Sequence, residues 1–263
     1  MEILDKIRLI FSFYLTNKWE ENEINRLHLR LLFNYISRFD EVIFCLIIDN
    51  DIEVEVIKDF ERRIIGECKK DVIFKTYKNT NYRESLVLYE EIAKKLEDLD
   101  GLTFFAHNKG MSDCFSIDSV KMWVCALYYF SFEVELPYYQ LNGPLSFGPL
   151  KFYCCNDFFG SGAKSKYDWY YAGTFFWLKC QQLDFLMKCN NEEVPKMTNR
   201  WYSEMFLGNV VPYYEGWSYN NKITVNREFR GEDICDLLYC LYSDEEKILD
   251  SFFSYVEENS REV

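Results

Sequence analysis

Four short apolar segments alternate with amphipathic segments over the first 110 residues of the chain. Each apolar segment lacks a polar face, which is typical of a strand that is buried on both sides. The segments between them carry apolar residues at helical spacing. This alternation predicts an α/β fold with a mostly parallel sheet flanked by helices. The predicted strands cover residues 7–15, 41–48, 71–77 and 103–106, and the predicted helices cover 19–38, 53–65 and 83–99.

The second half of the chain follows a different pattern. Residues 131–173 are rich in Tyr, Phe, Gly and Pro, which favours loops and short strands. We expect one domain over residues 1–263, because this length suits a single large domain and no Pro- or Ser-rich linker interrupts it. The other predicted elements are a helix at 118–130, a strand and a helix within 175–188, a helix at 197–207, and an acidic helical segment at 232–258 that breaks near Ser243 and Asp244.

The charge of the chain argues against a nucleic-acid-binding protein. It has 30 Lys and Arg residues against 43 Asp and Glu residues, which gives a formal net charge of -13. Binding along nucleic acid depends on a basic surface that neutralises phosphates, so we exclude this class. A small basic pocket for one phosphorylated ligand is still compatible with this charge.

The cysteines and the N-terminus favour a cytoplasmic protein. Ten cysteines occur with no CxxC spacing and only two histidines, so no zinc site is predicted. Most of the cysteines have apolar neighbours, which predicts reduced, buried thiols and a reducing compartment. Residues 1–6 lack the basic start of a signal peptide, and no apolar run approaches the roughly 20 residues of a membrane helix. Peripheral contact with a membrane is still compatible with these features.

Polar residues follow three of the four predicted strands. Asp49 and Asp51 come after the second strand, and Asn79 and Arg83 after the third. His107 follows the fourth strand. Ligands of open α/β sheets bind at the carboxyl ends of the strands, so we expect a ligand site among these side chains.

Residues 107–110, with the sequence HNKG, are the most informative of these segments. His107 and Lys109 could hold a diphosphate or a leaving phosphate by charge and hydrogen bonding. Gly110 permits a sharp turn after them. The alternative is a solvated loop in which the histidine has a structural hydrogen bond.

Two segments of the second half have both a functional and a structural interpretation. Arg200 and Glu204 are four residues apart and either form an ordinary helical ion pair or provide a general base held beside a ligand phosphate. Residues 173–177, with the sequence GTFFW, form either a wall against which a ring stacks or a core strand. Trp201 belongs to a group of aromatic residues that suits a sugar-binding cleft, although most of that group should be core.

Taken in order, these segments resemble GT-A-fold glycosyltransferases of bacterial and viral polysaccharide synthesis. The resemblance is to a group with an H-[TSN]-K-G element in place of DxD after the fourth strand. It covers about residues 7 to 210, and its segments here are Asn79 with Arg83 and Glu84, residues 107–110, Asp118 to Trp123, Gly173 to Trp177, and Arg200 to Glu204.

The resemblance implies a role for each of these segments. It implies that Glu204 is the base of an inverting transferase and that His107 and Lys109 lie near the diphosphate. It implies that the Gly173, Thr174 and Trp177 segment helps to form the acceptor cleft, to which we add Trp201. The residues expected to bind the nucleotide-sugar are Asp49, Asp51, Asn79, Arg83, Glu84 and Arg200.

A metal is not predicted by these residues. No DxD follows the fourth strand, and carboxylates are the ligands that Mg or Mn would need there. Asp49 and Asp51 form a DxD after the second strand, where they suit the polar atoms of a nucleoside better than a metal. We therefore predict no metal ligands and leave open a divalent Mn or Mg ion as a cofactor.

The sequence thus predicts a GT-A-like, Rossmann-like glycosyltransferase that uses a nucleotide-sugar donor. The expected acceptor is a glycan or a lipid-linked oligosaccharide. Residues 1–110 would form the nucleotide-sugar-binding half, 111–231 the aromatic-rich acceptor and catalytic half, and 232–263 an acidic helical segment. The alternatives are a non-catalytic glycan-binding relative and a nucleotidyltransferase.

Overall fold

The computed structural model describes residues 6–108, 117–135, 145–148, 151–153, 166–167, 169–171, 174–197, 202–211, 216–217 and 246–260. The strands are β1 (Ile7–Leu15), β2 (Glu41–Ile48), β3 (Val72–Lys78), β4 (Leu102–His107), β5 (Ser146–Phe147), β6 (Lys151–Tyr153), β7 (Trp169–Tyr171), β8 (Phe176–Leu178) and β9 (Gly216–Trp217). The α-helices are α1 (Glu23–Tyr35), α2 (Val54–Cys68), α3 (Glu84–Glu91), α4 (Ile117–Tyr129), α5 (Cys180–Cys189), α6 (Tyr202–Val210) and α7 (Glu246–Ser260). Short 3₁₀ helices cover Trp19–Glu21, Ile36–Arg38 and Ala93–Asp98, and a π-helical turn covers Phe130–Glu135.

Seven strands form the main sheet, in the order β3-β2-β1-β4-β8-β5-β9. Strands β1 to β4 run parallel to one another. Strand β8 runs antiparallel to both β4 and β5, and β9 is parallel to β5. Strands β6 and β7 form a separate antiparallel pair. The predicted α/β class with a mostly parallel sheet is therefore confirmed.

Two hydrophobic clusters cover the two faces of the sheet. Because successive side chains of a strand point to opposite faces, Phe11 and Phe13 of β1 enter one cluster and Ile10 enters the other. The first cluster contains residues of α1, α2, α4 and α7. The second contains residues of α3, α5 and α6. Strands β1, β2 and β4 are thus buried on both faces, as their continuous apolar sequence predicts.

Strand β3 differs from the prediction of a fully buried strand. It lies at the edge of the sheet, and each of its residues is either partly buried or exposed. Ile73, for example, is 44% exposed. An edge strand has a neighbour on one side only, so its apolar sequence does not by itself determine how deeply it is buried.

Two of the predicted helices are shorter than expected. Helix α1 begins at Glu23 because the Asn22 side chain accepts hydrogen bonds from the backbone N–H groups of Ile24 and Asn25, at 2.9 and 3.1 Å. Helix α3 ends at Glu91, since Ile92 has a non-helical backbone with φ -121° and ψ -65°. The predicted helix at 197–207 is observed from Tyr202 to Val210, and residues 232–245 of the acidic segment lie outside the described residues.

No helix within the described ranges combines the length and the apolar character needed to cross a membrane.

Candidate functional site

The strand order predicts a crevice at the carboxyl ends of β1 and β4. From β1 the chain adds β2 and β3 on one side, and it then returns to place β4 on the other side of β1. In open α/β sheets this reversal opens a crevice in which ligands bind. The end of β1 at Tyr14 and Leu15 and the end of β4 at His107 flank this crevice.

Strand pairing places the side chains of Ser12, Tyr14 and His107 on one face of the sheet. Ser12 pairs with His107 of β4, and Tyr14 pairs with Ile47 of β2. Ser12 and Tyr14 share the face of Ile10, because side chains two residues apart point the same way. This is the face covered by α3, α5 and α6.

Tyr14, Asp49 and Asn79 form a hydrogen-bonded cluster at this edge, which we call the edge cluster. The Tyr14 hydroxyl donates to Asp49 Oδ2, and Asn79 Nδ2 donates to Asp49 Oδ1 at 2.8 Å. These two bonds hold the pKa of Asp49 below its usual range. The same bond to Asp49, together with burial, raises the pKa of Tyr14 to about 12. The cluster therefore presents an ionised carboxylate and a neutral phenol at neutral pH.

The structure brings Asp49 and Asn79 into hydrogen-bonding contact. Tyr14 was not singled out from the sequence, because it looks like part of an apolar strand. Its partner Asp49 is 35 residues away in the chain, and only the β1–β2 register brings the two together. Asp51 is exposed nearby, and its carbonyl oxygen accepts a hydrogen bond from Asn17 Nδ2 at 3.2 Å.

Arg83 and Glu84 lie where α3 begins. Glu84 is the first residue of α3, and Arg83 precedes it with φ 49° and ψ -129°. The positive charge of Arg83 acts on Tyr14 and opposes the increase in its pKa, so Arg83 faces the same region as the edge cluster.

Backbone strain separates two candidate residues from the other positive-φ positions. Among the described residues other than Gly, positive φ occurs at Lys69, Arg83, Thr174 and Asn191. Lys69 and Asn191 follow the ends of α2 and α5, where a left-handed residue is ordinary. Arg83 and Thr174 do not follow α-helix ends. Such strain costs about 1–3 kcal/mol and tends to occur at functional sites.

His107 lies beside an aromatic ring that is shared with the second histidine of the chain. The centroid of Phe175 is 6.4 Å from the ring of His107 and 6.1 Å from the ring of His28. His28 is fully buried in α1, and its Nδ1 lies 3.4 Å from the Tyr128 hydroxyl. His28 was not among the site residues predicted from the sequence. Lys109 lies outside the described residues.

Three buried hydroxyl groups join α3, α6 and the segment before β8, and we call them the hydroxyl cluster. Ser85 Oγ donates to Ser203 Oγ at 3.2 Å and accepts from the Ser203 backbone N–H at 3.0 Å. Thr174 Oγ1 lies 3.5 Å from Ser203 Oγ. Ser85 follows Glu84, and Ser203 precedes Glu204 in α6. The cluster thus brings the segments of Glu84, Thr174 and Glu204 to one place.

Trp177 belongs to the core. It is fully buried, and its Nε1 donates to the Ser131 carbonyl oxygen at 3.2 Å. Its ring packs on Phe104 and Phe39, with centroids 4.5 and 5.8 Å away. Because these contacts cover the indole, Trp177 packs as the core-strand interpretation expects rather than as the wall of an open cleft. Gly173, Arg200 and Trp201 lie outside the described residues.

Within the described residues, no group of three or more His, Cys, Asp or Glu side chains could hold a metal ion. Both carboxylate oxygens of Asp49 already accept hydrogen bonds from Tyr14 and Asn79.

Comparison with known proteins leaves the family of the chain open. The sequence matches no protein-family model and no curated protein. One similar solved structure is the crystal structure of 4-diphosphocytidyl-2C-methyl-D-erythritol synthase from Anaerococcus prevotii. It has 12% sequence identity and a TM-score of 0.38, and the match covers 89% of this chain and 97% of that chain. At this identity and TM-score, the similarity supports no statement about function.

Proposed function

We propose that this protein is an inverting glycosyltransferase. It would transfer a sugar from a nucleotide-sugar donor to a glycan or a lipid-linked oligosaccharide. The proposal combines the resemblance in the sequence with a polar site at the carboxyl edge of a mostly parallel sheet, where such folds bind ligands. We place the reaction in the cytoplasm and in a single domain.

The hydroxyl cluster is the observation that carries the proposal. The resemblance depends on segments that are far apart in the chain, around Glu84, Thr174 and Glu204. Ser85 and Ser203, which bond to each other, are 118 residues apart. Hydrogen bonds among Ser85, Ser203 and Thr174 join these three segments in the interior, which supports a shared site. The strained backbones of Arg83 and Thr174 flank the same cluster.

The proposed reaction assigns catalytic roles to three side chains. Glu204 takes the proton of an acceptor hydroxyl, whose oxygen attacks the anomeric carbon of the donor sugar. The bond from that carbon to the diphosphate breaks, and its electron pair leaves with the diphosphate. His107 and Lys109 stabilise the negative charge that develops on the diphosphate.

Binding roles fall to the remaining candidates. We assign Asp49 and Asn79 of the edge cluster to the nucleoside. Gly173 and Trp201 would line the acceptor side, and Thr174 and Trp177 are left out because both are fully buried. The other residues assigned to the donor are Asp51, Arg83, Glu84 and Arg200.

A donor screen tests the binding step. Ligand-detected NMR of the pure protein would be recorded against UDP-, GDP-, CMP- and dTDP-sugars, each with and without Mn. We expect selective binding of one donor, which would also identify its nucleotide. Binding of glycans without any nucleotide-sugar would instead favour the glycan-binding relative and contradict the proposal.

A base variant tests the chemical step. We expect Glu204→Gln to lower kcat by at least about 100-fold with donor affinity unchanged, since general base catalysis contributes about 10²–10⁴-fold. Glu67→Gln is the matched control, because Glu67 lies exposed on α2. Full transferase activity in Glu204→Gln would remove Glu204 as the base.

A further inference from the structure

Asn108 lies between two proposed catalytic residues, and its side chain is tied to the opposite side of the crevice. It directly follows β4 and is only 7% exposed. Its Oδ1 accepts a hydrogen bond from the Tyr14 backbone N–H at 2.7 Å, and its Nδ2 donates to the Tyr14 carbonyl oxygen at 3.2 Å. Nδ2 also donates to Asn25 Oδ1 in α1 at 2.9 Å.

These contacts extend the pairing of β1 with β4 beyond the end of β4. The last backbone contact runs from the Asn108 N–H to the Ser12 carbonyl oxygen, at 3.1 Å. Beyond that contact, the side-chain amide of Asn108 makes the hydrogen bonds to the Tyr14 N–H and C=O groups that the backbone of a longer β4 would make. The end of β1 is therefore held at the point where the two strands separate to open the crevice.

We propose that Asn108 is a positioning residue that couples His107 and Lys109, the proposed diphosphate-binding residues, to the nucleoside side of the site. It fixes the backbone of Tyr14, whose hydroxyl bonds to Asp49, and it is itself flanked by His107 and Lys109. A displacement of His107 and Lys109 would thus shift the Tyr14 backbone, and with it the edge cluster, through the side-chain amide of Asn108. This inference rests on the proposed function.

Only an amide satisfies the three partners of Asn108. The Tyr14 N–H requires an acceptor, whereas the Tyr14 carbonyl and Asn25 Oδ1 require donors. An ionised aspartate of the same shape would offer acceptors alone and face two oxygen atoms at close range. Asn108→Asp therefore disrupts the arrangement with almost no change in volume. Asn34→Asp is the matched control, because Asn34 is exposed on α1 and the substitution changes the charge equally.

The test combines a structural readout with a binding readout. The ¹³Cζ resonance of Tyr14, assigned with a Tyr14→Phe variant, reports on the bond between Tyr14 and Asp49 without any ligand. UDP, GDP, CMP and dTDP are titrated separately, at a temperature where circular dichroism shows each variant to be folded. For Asn108→Asp we expect a shifted Tyr14 resonance and about tenfold weaker binding of the preferred nucleotide, as for the loss of one or two hydrogen bonds. Asn34→Asp should match the wild type in both readouts.

The outcomes separate this inference from the function on which it rests. If folded Asn108→Asp keeps wild-type nucleotide affinity and an unshifted Tyr14 resonance, Asn108 is not a positioning residue, and the proposed function still stands. If the wild type binds none of the four nucleotides, the proposed function fails and this inference fails with it. If Asn108→Asp does not fold, Asn25→Ala removes a single contact of Asn108. It should weaken nucleotide binding about threefold, and wild-type affinity in that folded variant would overturn the inference.

Discussion

Glu91 is a buried carboxylate whose removal should destabilise the fold by a measurable amount. It is the last residue of α3 and is only 5% exposed. Its carboxylate accepts hydrogen bonds from Lys75 and Tyr77 of β3, and from Lys95 at 3.0 Å. Glu91→Gln keeps the shape of the side chain, removes its charge and leaves two ammonium groups without their anion.

The expected cost follows from these contacts. A hydrogen bond to a charged group contributes about 1.5–3 kcal/mol, and removing one partner of a buried ion pair costs about 3–5 kcal/mol. The side chains of Lys75 and Lys95 are 34% and 40% exposed, so water can solvate their ammonium groups once the anion is gone. The cost therefore falls below the range for a fully buried ion pair, and we expect Glu91→Gln to lower the free energy of unfolding by about 2 kcal/mol at neutral pH.

The pH dependence of this cost has a defined sign. Burial alone would raise the pKa of Glu91, but the bonds from Lys75, Tyr77 and Lys95 outweigh it and hold the pKa below its usual range. A carboxyl group with a lowered pKa stabilises the fold above its unfolded-state pKa, which is about 4.3. That contribution is lost as the pH falls through the folded-state pKa. The difference between the wild type and Glu91→Gln should therefore shrink as the pH falls below about 4.

Urea unfolding followed by circular dichroism measures this difference, and an adjacent residue provides the control. Glu90 pairs with Lys94 at the same i, i+4 spacing but on the surface, so Glu90→Gln should cost less than about 0.5 kcal/mol. The m-value should stay constant in both variants. The reasoning is refuted if Glu91→Gln is no less stable than Glu90→Gln at neutral pH, or if its deficit grows on acidification.

Two further predictions test other parts of the structure. Among the described cysteines, Cys189 is exposed, whereas burial raises the pKa of Cys68 to about 11 and those of Cys125 and Cys180 to about 12. Iodoacetamide at about pH 8 should therefore alkylate Cys189 before Cys68, Cys125 and Cys180, as peptide mass spectrometry would show, and equally fast modification of Cys180 in folded protein would contradict its burial. Gly101 has φ 70°, and a Cβ there would lie 2.1 Å from the Lys6 carbonyl oxygen, so Gly101→Ala should cost at least about 2 kcal/mol in urea unfolding. Wild-type stability in that variant would contradict the close approach of Gly101 to the Lys6 carbonyl oxygen.

The parallel core of the sheet could be predicted from the sequence because its signal is local. Strands β1 and β2 begin and end where their apolar runs do, at residues 7–15 and 41–48. The end of α3 had no such signal, since the apolar spacing continues through Ile92 and Leu96 and neither Gly nor Pro interrupts it. The half-exposed state of β3 follows from its place at the edge, which depends on pairing between distant segments.

The candidate site was predictable in part for a related reason. Residues just past strand ends could be found from the strands, and the structure brings Asp49 and Asn79 together. Tyr14 and His28 lie within regular elements, where an aromatic residue looks like ordinary core. Ser85 and Ser203 carry no signal in the sequence, because a buried serine becomes recognisable only when its distant partner is known.

The central place of β1 affects how the chain can assemble during synthesis. Its pairing with β2 needs residues as far as Ile48, but its pairing with β4 begins only at Leu102. On the ribosome, β1 therefore waits with the backbone groups of one edge unpaired while the residues between Ile48 and Leu102 emerge. Unpaired strand edges promote association with other chains. The crevice itself appears only after β4 is made, and the Ser85–Ser203 contact needs a further stretch of nearly a hundred residues, so the proposed site is completed late in synthesis.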